Sequence, residues 1–227
     1  MKRLITTRAD DGIKEMCEVT HPYIINYAKK CDADFLVIED SKDFHPHYRI
    51  LQLYDMFDKY DSILMVDSDI LITNSCPNIF EYVDDETVGT IYEDKGSRKL
   101  HRRNLIQKVQ EERAEVGWTK GYVNTGFILF PKTVKEIFNL DQNKVWMDFG
   151  QDDIELGYQM HKYAFNIQEL SFKFNHMTMF SEDWNNNASR FDSYVIHYAG
   201  SGLFAPCINR TELIKQDNNL LKKYNLI

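Results

Sequence analysis

A strand, a helix and a second strand fit within the first 38 residues, and that succession constrains the fold more than any other feature. Leu4, Ile5, Thr6 and Thr7 form a short β-prone run, and a polar turn covers residues 8–12. Ile13, Met16, Val19, Tyr23 and Tyr27 then recur near helical spacing as far as about Lys30. Pro22 lies inside that stretch and predicts a kink or two helical pieces. Phe35, Leu36, Val37 and Ile38 make the second apolar run. Strands joined through a helix pair in parallel, because only antiparallel neighbours can be linked by a tight turn. The chain is therefore predicted to build an α/β fold on a mostly parallel sheet.

The remainder continues the pattern. A helix is predicted over 48–60, with Ile50, Leu51, Tyr54 and Phe57 on its apolar face. The unbroken apolar run 63–66 reads as a strand buried on both faces. A short helix over 77–83, a strand over 88–92 and a helix over 100–116 follow. Residues 127–130 read as another buried strand, ended by Pro131. A short helix over 134–140, a helix from Gln151 to about Tyr163 and a strand over 167–172 come next. Residues 40–47 and 175–191 read as loops, 194–196 as a last short strand, and 211–227 as a polar helix. A length of 227 residues suits one domain, with halves at about 1–95 and 96–227.

The run 63–66 leads into Asp67-Ser68-Asp69. In an extended backbone, residues i and i+2 point the same way, so both carboxylates face one side and Ser68 the other. Two like charges held together call for a cation, and a divalent metal is the simplest. Capping of a turn is the plainer reading of such residues. Asn124-Thr125-Gly126 approaches the strand at 127–130, and its glycine lets a ligand come close to the backbone. Gln151-Asp152-Asp153 opens a helix. One Asp there complements the helix dipole, but two carboxylates and a Gln exceed what capping needs. Thr7-Arg8, Asp67-Ser68-Asp69 and His197 each follow an apparent strand. Ligands bind beyond the carboxyl ends of parallel strands, so these residues are expected to meet at one edge. Two carboxylate oxygens and an imidazole suit Mn²⁺ or Mg²⁺, and the nitrogen ligand tilts the choice to Mn²⁺.

Other residues leave two readings open. Arg49 sits in the first turn of its helix, where the dipole does not favour a cation. It is either solvated or serves an anion. Lys95, Arg98, Lys99, His101, Arg102, Arg103 and Lys108 make a basic cluster in a chain of net charge −8. That cluster is a solvated helix face, a mobile flap or a surface for a phosphate-bearing ligand. Trp184 either anchors its loop on the core or stacks on a ligand. The overall charge argues against a general nucleic-acid binder. Cys17, Cys31, Cys76 and Cys207 have spacings that fit neither a zinc site nor a disulfide framework. With no signal-like h-region and no stretch of about 20 apolar residues, a cytoplasmic protein without a transmembrane segment is expected.

Asp67-Ser68-Asp69 resembles the DxD motif of GT-A glycosyltransferases. Asn124-Thr125-Gly126, Gln151-Asp152-Asp153 and His197-Tyr198-Ala199-Gly200 follow in the order seen in glycogenin-like and lipopolysaccharide galactosyltransferase-like members. The resemblance spans Leu4 to Gly202. It implies a GT-A fold, Rossmann-like, with helices flanking the sheet and a smaller acceptor-side subregion. It also implies a nucleotide-sugar donor, more a UDP-sugar than a GDP-sugar, held by its diphosphate on the metal. Asp67, Asp69 and His197 are then the metal ligands, with Asp67 also near the ribose. Thr6, Thr7 and Arg8 lie by the base and ribose, with Ser68 beside them. Arg49 lies near the diphosphate or donor sugar. Asn124, Thr125, Gln151, Asp152 and Asp153 line the sugar pocket, with Asp152 or Asp153 as catalytic carboxylate. The acceptor is a glycan or lipid-linked molecule, which allows peripheral membrane contact.

The chain departs from the glycogenin-like group after Gly200, where Ser201-Gly202-Leu203-Phe204-Ala205-Pro206 stand and Lys-Pro-Trp is missing. Phosphate contact is then expected from the Gly200-Ser201-Gly202 backbone or from the basic segment. A sugar nucleotidyltransferase would open with a glycine-rich loop, and residues 6–11 contain no glycine. A metallophosphatase would show more His and Asp ligands. A non-catalytic nucleotide-sugar-binding module or a sugar nucleotidyltransferase remains as the alternative.

Overall fold

The computed structural model describes residues 1–39, 45–177, 180–200 and 209–227. Residues 40–44 of one expected loop, residues 178–179 of another, Cys207 and the Ser201-Gly202 backbone lie outside the described residues. The strands are β1 (Arg3–Arg8), β2 (Asp34–Ile38), β3 (Ser62–Val66), β4 (Ile70–Ile72), β5 (Val88–Thr90), β6 (Phe127–Pro131), β7 (Ile167–Glu169), β8 (His176–Met177) and β9 (Val195–His197). The α-helices are α1 (Lys14–Lys30), α2 (Leu53–Met56), α3 (Ile79–Tyr82), α4 (Lys99–Glu112), α5 (Gln151–Lys162) and α6 (Arg210–Lys223).

Among the described residues, six strands form one sheet in the order β2-β1-β3-β6-β5-β7, and three form a second in the order β4-β9-β8. In the large sheet β1 pairs in parallel with β2 and β3, and β5 in parallel with β7. Strand β6 runs antiparallel to both β3 and β5. The sheet is thus mostly parallel, with one strand reversed at its centre. That reversal positions the site. The start of β6 lies level with the carboxyl end of β3, Phe127 opposite Val66, so Asn124, Thr125 and Gly126 arrive at the edge where Asp67 leaves.

Both faces of the large sheet are covered. Ile63 and Met65 of β3, with Ile128 and Phe130 of β6, pack on Tyr48, Phe57 and Phe138. Leu64 and Val66, with Phe127 and Leu129, pack on Ile24, Tyr27 and Phe174 from the other side. Such alternation sends successive side chains into two cores, which is why these strands read as continuous apolar runs. Burying each of these side chains fully contributes about 1.5–3 kcal/mol.

Several elements differ from expectation. Helix α1 runs through Pro22 as one element rather than two. Pro22 and Glu18 are both exposed, so water can take the carbonyl that the missing N–H leaves. The helix expected over 48–60 is a 3-10 turn, Pro46–Gln52, followed by the single turn of α2. Tyr48, Arg49, Ile50 and Leu51 are all buried, and four consecutive residues cannot share one face of an α-helix. Residues 132–138 are likewise 3-10. Strand β7 stops at Glu169, ahead of a 3-10 turn at Phe172–Phe174. The loop expected over 175–191 contains β8 and further 3-10 turns. Trp184 within it meets Phe172 and Phe180 edge-on, which is the anchoring role. No helix among the described residues is long and apolar enough to cross a membrane.

Candidate functional site

Strand β3 ends in the carboxylate pair. Asp67, Ser68 and Asp69 form a turn that carries the chain from β3 in the large sheet to β4 in the small one. The two carboxylates therefore converge through a turn, not through the extended spacing expected. The Asp67 N–H donates to the Gly126 carbonyl at 2.7 Å, fixing the turn against the start of β6. Ser68 points the other way. Its hydroxyl donates to the Arg8 carbonyl at 2.5 Å and shares a hydrogen bond with the Thr7 hydroxyl at 2.9 Å. The Thr20 hydroxyl donates to the Ser68 carbonyl at 2.7 Å.

His197 ends β9, and the small sheet delivers it. Ile70 of β4 pairs with His197, and the Tyr198 N–H donates to the Asp69 carbonyl at 3.0 Å. The imidazole lies over Gly126, where no side chain intervenes. His197 Nε2 stands 3.2 Å from Asp69 Oδ1 and 3.6 Å from Asp67 Oδ2. Asp67, Asp69 and His197 thus offer three ligand atoms within 4.8 Å of one another, a set able to hold a metal ion.

Each member of this set has its other atom tied outward. Arg8 donates to Asp67 Oδ1 at 2.6 Å, and Arg210 pairs with Asp69 Oδ2 at 2.9 Å. His197 Nδ1 faces the side-chain oxygen of Asn175 at 2.8 Å. Outer partners of this kind orient metal ligands. Burial disfavours charge on both Asp69 and His197, but their mutual attraction outweighs it. The carboxylate is held below its usual range and the imidazole above its own. The donor set, two carboxylate oxygens and one imidazole nitrogen, fits a hard or borderline divalent cation.

Helix α5 supplies the facing wall. Gly150 before it has φ 91°, and a Cβ there would stand 2.4 Å from the Tyr122 hydroxyl. Glycine is the residue that tolerates both conditions. Arg8 reaches across the cleft to Asp152 Oδ2 at 2.6 Å, while His47 Nδ1 meets Asp152 Oδ1 at 3.2 Å. Burial would raise Asp152, but Arg8 and His47 more than offset it and hold the carboxyl down at about 2. Asp153 Oδ1 accepts from the Thr125 N–H and hydroxyl, each at 2.8 Å. Burial and the nearby charges of Asp152 and Glu93 push Asp153 well above the usual carboxylate range. Two adjacent carboxylates therefore differ: one is held ionised, the other favours its proton.

A cavity of about 490 Å³ lies between these walls, lined among others by Asp67, Asp69, His197, Asn124, Thr125, Gln151, Asp152 and Asp153. A second, of about 260 Å³, shares Arg8, Asp67, Asp69 and Arg210 with it and adds Asp10, Arg49 and Ser68. A third, of about 610 Å³, shares Ala9 and Asp10 with the second and reaches Lys14, Val37 and Glu39. Arg49 is buried and pairs with Asp10 at 3.2 Å, so the solvated reading of this residue does not hold. Thr6 and Thr7 are fully buried, and neither lines these cavities. The Thr6 hydroxyl donates to the Leu36 carbonyl and that of Thr7 bonds Ser68. They hold β1 in place beside the cleft.

The sequence reading missed His47, Glu93, Asn175 and Arg210. Glu93 had a signal: it follows a strand, as the Asp pair does. The basic cluster resolves largely into individual pairs: Lys95 with Glu169, Arg102 with Glu93, Arg103 with Asp94, and Lys108 with Asp148. Arg102 also lies over the rings of Tyr122 and Phe149, at 4.9 and 5.0 Å.

No protein-family model matches the sequence, and no curated protein matches it. Solved structures do match. One is a glycosyltransferase involved in glycosylation of the major capsid of PBCV-1, with TM-score 0.61 and 15% identity, covering 97% of this chain and 100% of that one. Another is the galactosyltransferase LgtC in complex with donor and acceptor sugar analogues, with TM-score 0.62 and 16% identity, covering 96% of this chain and 95% of that one. A third is a Drosophila β-1,4-galactosyltransferase 7 mutant in complex with manganese, UDP-Gal and xylobiose, with TM-score 0.52 and 12% identity, covering 95% of this chain and 80% of that one. At these identities the likeness shows a shared fold, the GT-A fold.

Proposed function

We propose that this chain is a metal-dependent glycosyltransferase. It would take a sugar from a nucleotide-diphosphate sugar, a UDP-sugar by first choice, and transfer it to a hydroxyl of a glycan or lipid-linked acceptor. The observation that carries this reading is the convergence of Asp67, Asp69 and His197 at the carboxyl edge of a GT-A sheet. These three residues would hold the ion, with Mn²⁺ favoured over Mg²⁺ by the imidazole. A bound divalent ion supplies Lewis-acid stabilisation of the charge that develops on a departing diphosphate.

The chain's own residues suit the rest of such a donor. The adjoining cavities would suit such a donor with its base by Ala9 and Glu39, its middle by Arg49 and Arg8, and its sugar by Gln151 and Thr125. Arg210 is part-exposed beside the ligand set, and its Nη2 donates to the Gly200 carbonyl at 2.6 Å. A cation there suits a diphosphate. In an inverting transfer, a carboxylate takes the proton of the acceptor hydroxyl, and Asp153 binds a proton more readily than Asp152. In a retaining transfer, ionised Asp152 suits an oxocarbenium-like centre. A reducing, cytoplasmic setting is part of the same proposal, on the spacing of the cysteines.

A thermal-shift screen of nucleotide sugars with and without Mn²⁺ tests the reading, since a ligand selective for the folded state raises the melting temperature. A metal-dependent rise with one nucleotide class, accompanied by donor hydrolysis or transfer, is expected. Absence of any rise would overturn the reading. A rise without turnover would make the chain a binding module.

A further inference from the structure

The orientation of His197 traces back to one backbone N–H. The Gly126 N–H can only donate, and it donates to Asn124 Oδ1 at 2.9 Å. That fixes the Asn124 amide, whose Nδ2 then donates to Glu93 Oε1 at 2.6 Å. Glu93 is held from the other side by Arg102, at 2.6 Å. With its oxygen facing inward, Asn124 accepts from Asn175 Nδ2 at 2.7 Å. The Asn175 oxygen is thereby turned to His197 Nδ1. Reversing either amide would set two oxygens or two N–H groups against each other in a buried site, a cost of about 1–3 kcal/mol for each unpaired group. Nδ1 of His197 must therefore carry a proton, and Nε2 is the atom left to face Asp67 and Asp69.

From this we infer that Asn175, fully buried and away from the cleft, is a positioning residue that commits His197 Nε2 to a metal ion. The inference rests on the metal-site reading above. Glu93 and Asn124 are the links that fix the Asn175 amide, so a chain of side chains from α4, the β5 exit, the β6 entry and the β8 entry ends on one ligand. Outer partners of metal-bound histidines typically contribute 10–100-fold in affinity.

The test measures Mn²⁺ binding to the protein alone, from the free-ion EPR signal, for the parent, Asn175→Ala and Asn175→Asp. Asn175→Ala is expected to weaken Mn²⁺ binding by about 10–100-fold. Asn175→Asp, which still accepts from Nδ1 and, protonated on its other oxygen, can donate to Asn124 Oδ1, is expected to restore part of that loss. Unchanged affinity in Asn175→Ala, or equal loss in both variants, would overturn the positioning role. A second measurement needs no variant: ¹⁵N spectra of the Mg²⁺-loaded parent should show His197 protonated at Nδ1, and an unprotonated Nδ1 would overturn the inference. A parent with no affinity for either ion would overturn the metal-site reading itself, which separates the two failures.

Discussion

Gly126 lies so close to His197 that a methyl group on it would stand 2.3 Å from the imidazole Cε1 and 2.9 Å from Nδ1. The backbone just ahead of β6 is thus the floor under the imidazole of a proposed metal ligand. Gly126→Ala is expected to push the ring off its position, lowering Mn²⁺ affinity by at least tenfold and stability by about 1–3 kcal/mol. Titration with Mn²⁺ alongside urea unfolding checks both. Unchanged affinity would show that the ring finds its place without that floor.

Asp69 serves one ligand atom inward and one outward. Asp69→Asn keeps the shape and removes the charge between His197 and Arg210. The Mn²⁺-dependent rise in melting temperature and metal-dependent donor hydrolysis are expected to fall by more than about 100-fold in affinity and rate, beyond what loss of an outer partner causes. Full donor hydrolysis in this variant would remove Asp69 from the metal site.

The Asp152 cluster predicts a pH dependence. Its folded value of about 2 lies below the ordinary 3.8, so the stabilisation is present above pH 3.8 and is lost as pH falls through about 2. Asp152→Asn is expected to cost at most about 2 kcal/mol at pH 7 and progressively less below pH 3.8. Removing that charge also relieves Asp153, which works in the opposite direction. Unfolding midpoints of parent and variant across this range give the difference directly.

Ser68 is expected to act on the fold more than on ligands. Its hydroxyl bonds the Arg8 carbonyl and Thr7, and it faces away from the ligand set. Ser68→Ala should cost about 1–3 kcal/mol through the unsatisfied carbonyl. Donor affinity, measured well below the melting temperature, should stay within a fewfold of the parent. A large loss of affinity with unchanged stability would place Ser68 on the ligand.

Arg210 should report on the diphosphate. Arg210→Ala is expected to weaken nucleotide-sugar binding by about 1.5–3 kcal/mol, the scale of a charge-assisted hydrogen bond, with a smaller effect on the nucleoside alone. Calorimetry with the two ligands separates these outcomes.

Much of this arrangement is legible in the chain, and the limits have physical causes. Apolar runs at 63–66 and 127–130 are strands because each fills core on two sides, while the run at 35–38 forms an edge strand with Leu36 exposed. Asp67 and Asp69 stand out because they follow the buried run of β3, and His197 because it closes β9. The direction of β6 is not written in its own residues; it depends on which neighbours it joins, so the approach of Asn124 to the Asp pair is visible only in the assembled sheet. Asn175 and Arg210 carry no local signal, since an Asn before a two-residue strand and an Arg opening a helix are ordinary. Thr6 and Thr7 sit at the right edge, but their hydroxyls turn into the sheet, and which way a strand residue points depends on register.

The pairing of Ile70 with His197 joins segments that are distant along the chain. Closing so long a loop is entropically slow, so contacts of this kind tend to form late in folding. Metal affinity should then appear only once β4 and β9 have zipped together, after the core around β1, β3 and β6 is in place. On the proposed metal site, a chain cut short before β9 would keep both aspartates and lose the imidazole, so metal uptake would report on whether β9 has docked.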